Sequence, residues 1–185
     1  MPSNAEISAI LTSAAEGIAV RAKAWTAPVV IIDGRSGSAK TTLASLLAPR
    51  IDAYVLALDA VYPGWDGLRA GVESVLDGVL DARADGRVGR WRAWDWNVGA
   101  WADEHVVPSD RALIIEGAGA LTPETAALSD VQVWVESPEP SRRERALARD
   151  GDTYRPHWER WAAQETAHIA AHAPQRLADV IVPVP

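Results

Sequence analysis

The apolar positions change their period several times along the chain, and each change marks an element. Ile7, Ile10, Leu11, Ala14, Ala15 and Ile18 recur at helical spacing, which predicts an amphipathic helix ahead of the first strand. Val29 to Asp33 is uniformly apolar up to its last residue, the pattern of a strand buried on both faces. A helix is expected over Thr42–Arg50 and a second strand over Ala53–Leu58, ending at Asp59. Tyr62-Pro63-Gly64-Trp65-Asp66-Gly67 reads as a turn. Leu68, Val72, Val75, Leu76 and Val79 then mark an amphipathic helix that stops near Gly86. Residues 87–101 follow neither period and read as irregular. Ala112–Ile115 and Val131–Val135 are short apolar strands, the first running into Glu116-Gly117. Pro138 opens a helix through Arg149. Tyr154 to Ala173 forms a longer one stopped at Pro174, and Val180–Val182 is a last strand. Strands alternating with helices, without internal repeats, predict a three-layer α/β fold: a mostly parallel sheet with helices on both faces. No linker interrupts residues 1–185. They read as one domain, with residues 1–27 as an N-terminal helix packed on it.

The junction between the first strand and its helix carries the strongest chemical signal. Gly34 to Thr41 read GRSGSAKT. This is the phosphate-binding pattern G-x-x-x-x-G-K-[ST], with Ala39 at the second glycine position. Such a loop turns its backbone N–H groups, and the positive N-terminus of the next helix, toward an anion. Gly34, Ser36, Gly37, Ser38, Ala39, Lys40, Thr41 and Thr42 are therefore the expected ATP contacts. Lys40 would neutralise the β- and γ-phosphates, and Thr41 would hold Mg²⁺. A β-carbon at residue 39 would crowd the phosphates or strain a glycine conformation. Some helicases and chelatases of the wider P-loop class nevertheless carry Ala-Lys-Ser there.

Ligands of parallel sheets sit at the carboxyl ends of the strands. Asp59, at one such end, is a candidate to accept the proton of an acceptor hydroxyl and to help hold Mg²⁺. Glu116, at another, lies where a Walker-B acid would lie. Arg142, Arg145 and Arg149 share one helical face and are candidates to close over the site and stabilise the transferring phosphoryl group. Nine tryptophans and no phenylalanine are unusual. Trp91, Trp94, Trp96 and Trp101 surround Asp95, and Trp65 lies in the preceding turn. Tyr62, Trp65, Trp94, Asp95 and Trp96 are the candidate acceptor contacts, with Asn97 as a further polar reader. His168 and His172 are four residues apart on a helix beside Glu165, but no third ligand converges, so solvent-facing histidines are expected.

Composition narrows the partners. A net charge of −7 and a pI near 5.1 argue against a nucleic-acid or anionic-membrane surface. The absence of cysteine excludes disulfides and thiolate metal sites. Charged residues break the N-terminal apolar pattern, so neither a signal peptide nor a membrane span is expected. A cytoplasmic protein is the reading.

These residues resemble the uridine kinase–like branch of the P-loop kinases. IIDGRSGSAKTTLA is similar to that family's first strand, loop and helix. Asp59-Ala60-Val61-Tyr62 looks like its D-x-F-Y box, with Val61 in place of Phe, and Ile114-Ile115-Glu116-Gly117 like its strand-Glu-Gly box. Residues 142–150 resemble its Arg-rich lid, and Ala178–Pro183 its last strand. The chain looks more like the compact actinobacterial ATP-binding proteins of that uridine kinase–like type. The resemblance implies an ATP- and Mg²⁺-dependent transfer of the γ-phosphate to a small-molecule hydroxyl, with Asp59 as base. A nucleoside is one acceptor, a sugar or vitamin another. The family's uridine-reading segment has no counterpart in the Trp-rich stretch. A nucleotide-binding regulator without transfer activity is the alternative, and a nucleotide-independent structural protein the third reading.

Overall fold

The computed structural model describes residues 3–185. Five strands form one parallel sheet: β1 (Val29–Asp33), β2 (Ala53–Ala57), β5 (Ala112–Glu116), β6 (Val131–Glu136) and β7 (Val180–Pro183), in the order β2-β5-β1-β6-β7. β1 and β5 are central, and every residue of both is buried, which is why they read as unbroken apolar runs. Their side chains alternate between two cores. Val30 and Ile32 face α1 (Asn4–Ala22) and α2 (Lys40–Ile51), meeting Leu11, Ile18, Leu43 and Leu47. Val29 and Ile31 face the opposite layer, which includes α3 (Leu68–Val75) and α7 (Trp158–His172) and contributes Val72, Val75, Trp158 and Trp161. The three-layer expectation holds, and α1 packs against α2.

Three local expectations need correcting. The segment read as irregular is an antiparallel hairpin, β3 (Gly89–Asp95) and β4 (Ala100–Val107), with a bulge between Arg92 and Trp94. Its alternation is hidden because β4 is exposed at every position but Val107, so no buried face imposes a period of two. Cross-strand pairs hold it instead: Trp94 against Trp101, Trp91 stacked on His105, and Arg90 with Glu104 at 2.6 Å. The helix predicted after Leu68 passes through a π-helical turn at Leu76–Leu80 before α4 (Asp81–Ala84). Gly78 lies in that turn, and a β-carbon there would come within 2.5 Å of the Arg90 carbonyl, so only glycine lets the hairpin seat this closely. Finally, α6 (Glu139–Tyr154) runs past Arg149 to a kink at Gly151, whose φ of 56° is left-handed. A 3₁₀ turn at Arg155–His157 then leads into α7. α5 (Pro123–Ala127) and α8 (Pro174–Leu177) are short connectors. Among the described residues no helix is long and apolar enough to cross a membrane.

Candidate active site

The loop after β1 has the form its sequence predicts. The N–H groups of Lys40, Thr41 and Thr42 open α2 and have no intrahelical acceptor. Together with those of Gly37 and Ala39 they donate to no protein group among the described residues. Lys40 is buried, and its Nζ donates to the Arg35 carbonyl at 3.2 Å, lying back over the loop. Ala39 has φ 76° and ψ 24°, a left-handed conformation that suits glycine. Holding an alanine there costs about 1–2 kcal/mol. The backbone therefore keeps the glycine geometry of the motif although the residue does not. Gly37 is required by close approach, because a β-carbon would collide with the Arg142 carbonyl.

The loop is anchored from three sides. Asp33, buried at the end of β1, accepts from the N–H groups of Gly34 at 2.6 Å, Gly119 at 2.9 Å and Leu121 at 2.9 Å. Its Oδ2 also meets His168 Nε2 at 3.0 Å. Glu165 accepts from the Ser36 N–H at 2.7 Å and from Arg35 Nε at 3.0 Å. From α6, Arg142 Nη1 donates to the Ser36 carbonyl at 3.2 Å and Arg145 Nε to the Gly37 carbonyl at 2.8 Å. Two of the three predicted lid arginines are thus tied to the loop backbone. Arg142 is buried there, and Arg145 also reaches the Pro185 carbonyl at 2.9 Å. Only Arg149, further along the same face, reaches the cleft. His168 is buried rather than solvent-facing, which overturns the expectation from spacing.

The cleft holds about 560 Å³ between the loop, the hairpin tip, α6 and α7. Thr41, Asp59, Glu116 and Arg149 form its polar end. Thr41 Oγ1 donates to Glu116 Oε1 at 3.0 Å. Burial pushes the Glu116 carboxyl above the usual carboxylate range and the nearby Asp59 charge adds to this, while Lys40, the Thr41 hydroxyl and Arg149 oppose it. Arg149 is held by both oxygens of Asp150, at 2.8 and 2.7 Å. That pairing raises its pKa further, with smaller contributions from Asp59 and Glu116. Asp59 stands exposed on a 3₁₀ turn at Leu58–Ala60, its carbonyl accepting from Trp96 Nε1 at 2.8 Å.

Aromatic rings make the rest of the wall. Trp65 stacks on Tyr154 and His157, with centroids 5.5 and 4.3 Å away, and Trp96 leans on it at 4.9 Å. Trp161 meets both Trp65 and Tyr62 edge-on. Of the predicted acceptor contacts, Trp65, Trp96 and Tyr62 line the cleft. The Tyr62 hydroxyl is spent on the Ala118 carbonyl at 2.7 Å, so it is not offered to a ligand in the cleft. Trp94 and Asp95 do not line it. Trp94 packs within the hairpin, and Asp95 Oδ1 closes the turn by accepting from Asn97 N at 2.8 Å and Val98 N at 3.2 Å. Sequence reasoning missed Tyr154, Trp161, Asp150 and Thr153 in the cleft, and Asp33, Arg35, Glu165 and His168 behind the loop. One signal was present. Trp158, Trp161, Glu165 and His168 recur at helical spacing and form the buried face of α7.

The arrangement fits a nucleoside triphosphate and magnesium. Unpartnered N–H groups and Lys40 suit phosphate oxygens. Thr41, Glu116 and Asp59 offer hard oxygen donors. Among the described residues there is no cluster of three or more His, Cys, Asp or Glu that could hold a metal ion.

The architecture is a three-layer α/β fold with the glycine-bearing loop between β1 and α2. No family model matches the sequence, and no curated protein is significantly similar to it. Solved structures do match. A possible uridine kinase from Bacillus stearothermophilus is 20% identical, with a TM-score of 0.68 over 95% of this chain and 98% of the other. A proposed fructose transport system kinase from Silicibacter sp. TM1040 is 23% identical, with a TM-score of 0.63 over 92% of this chain and 98% of the other. At these identities the likeness shows a shared fold.

Proposed function

We propose that the chain is an ATP- and Mg²⁺-dependent phosphotransferase that moves the γ-phosphoryl group to a hydroxyl of a small, ring-bearing molecule. One observation carries this reading. Thr41, which ends the loop of open N–H groups, lines the same cleft as Asp59, Glu116 and Arg149, and the rest of that cleft's wall is aromatic. Bound Mg²⁺–ATP supplies the transferable phosphoryl group and offsets its charge. Lys40 and the N–H groups of residues 37 and 39–42 hold the phosphates, while Thr41 and Glu116 hold the metal. Asp59 orients the acceptor hydroxyl and takes its proton. Arg149, now paired with Asp150, faces the space where negative charge develops. Trp65, Trp96, Tyr154 and Trp161 suit a planar acceptor, of which a nucleoside is one example. The acidic charge and cysteine-free composition fit a cytoplasmic enzyme acting on small molecules.

A second reading, a nucleotide-binding regulator without transfer, is favoured by the strained Ala39. Thermal unfolding with and without Mg²⁺–ATP tests the nucleotide site. At a hundredfold excess over Kd, binding adds about 2.7 kcal/mol, roughly 5–10 °C for a chain of this size. The shift should vanish in Lys40→Ala. No shift at millimolar ATP refutes the phosphate site. A shift without acceptor-dependent ATP consumption across nucleosides, sugars and vitamins favours the regulator.

A further inference from the structure

We infer that Glu165 is a positioning residue for Lys40, acting through the peptide unit that joins Arg35 to Ser36. The inference rests on the reading of Lys40 as the phosphate-binding lysine. A trans peptide holds its C=O and N–H in one plane, pointing in opposite directions. Here both ends of one peptide are taken. Its N–H donates to Glu165 Oε1 at 2.7 Å. Its C=O accepts from Lys40 Nζ at 3.2 Å and from the Ser38 N–H at 3.1 Å. Rotation of that peptide would move the Lys40 acceptor and break the Glu165 bond together.

Glu165 is itself fixed. It is 3% exposed, and its second oxygen takes Arg35 Nε at 3.0 Å. Arg35 Nη2 in turn lies along α7, donating to the Ala162 carbonyl at 3.1 Å and Thr166 Oγ1 at 3.2 Å. A stabilising ion pair would need only Arg35. The bond to a loop N–H is the feature that makes Glu165 a determinant of loop geometry. The next peptide obeys the same rule. Arg142 holds the Ser36 carbonyl from α6, which aims the Gly37 N–H to the opposite side. The loop is thereby oriented from both α6 and α7 before any ligand arrives.

The chain has two lysines, Lys23 and Lys40, so an amine-reactive label reads this site directly. Lys23 is exposed and serves as the internal reference, while Lys40 is buried. The measurement is the ratio of Lys40 to Lys23 labelling by a water-soluble acylating reagent in the folded, ligand-free protein. Glu165→Ala should raise it about tenfold, since the Ser36 N–H loses its acceptor. Glu165→Gln, whose amide oxygen can still accept that N–H although its NH2 group then faces Arg35 and loses that pair, should raise the ratio less than Glu165→Ala. If Glu165→Ala does not fold, Glu165→Asp draws the carboxylate back by one methylene and should raise the ratio in the same direction. An unchanged ratio in the folded Ala or Asp variant overturns the inference, because a merely stabilising carboxylate would lower the melting temperature without unmasking Lys40. Added Mg²⁺–ATP separates the two claims. Failure of ATP to protect Lys40 in the wild type refutes the nucleotide site while leaving the ligand-free comparison to decide on Glu165.

Discussion

Replacing Ala39 with glycine should stabilise this protein, against the usual direction of such a change. The left-handed φ of 76° costs an alanine about 1–2 kcal/mol. Glycine removes that strain but gives the unfolded chain more freedom, which returns about 0.4–1 kcal/mol. The Ala39 methyl is half-buried against the α1–α2 core, and losing it takes away roughly 0.3 kcal/mol more. The balance is a gain of about 0.5 kcal/mol, or roughly 1–2 °C in melting temperature. The comparison that makes so small a number decisive is Ala48→Gly in the same helix. Ala48 is helical and half-buried, so glycine there should cost about 1 kcal/mol. Urea unfolding of the three proteins, with a common slope, reads both signs at once. Equal destabilisation by Ala39→Gly and Ala48→Gly would show that residue 39 is not left-handed, and the loop described here would be wrong.

The Glu116 carboxyl has a folded-state pKa raised above its ordinary value of 4.5, chiefly by burial. The folded state therefore binds this proton more tightly than the unfolded one, and stability falls as pH climbs from that ordinary value to the raised one. Glu116→Gln cannot ionise. Thermal scans against pH should find it more stable than wild type at neutral pH, with the difference closing on acidification; a constant difference would refute the assignment. His168→Ala should cost about 2 kcal/mol by leaving a buried Asp33 oxygen short of a partner. His172→Ala, one turn along, should stay within about 0.5 kcal/mol, as chemical denaturation would show. With an acceptor in hand, Asp59→Asn should lower turnover by about 10²–10⁴-fold while isothermal titration finds the Mg²⁺–ATP affinity almost unchanged. Wild-type turnover in that variant would remove Asp59 as base.

The hydrophobic pattern determined the layers of this protein because buried parallel strands leave no choice of face. Val29–Ile32 and Ala112–Ile115 are apolar at every position, and the helices around them keep one apolar stripe. The phosphate loop was legible for a related reason: its chemistry is carried by contiguous backbone, so eight consecutive residues specify it. Asp59 and Glu116 could be placed because strand ends converge at one edge of a parallel sheet. The hairpin could not be placed in the same way. Its strands lie on the surface, and local pairs such as Trp94 with Trp101 replace a buried period. The division of labour among Arg142, Arg145 and Arg149 was equally invisible. Helical spacing put them on one face, but that face runs from the loop backbone to the open cleft, and position along it decides which guanidinium reaches the cleft rather than the loop. The same holds for Glu165 and His168, whose partners lie about 130 residues away. Local sequence fixes the conformation of a short segment, whereas the partner of a buried charge is set by which distant backbone the fold brings against it.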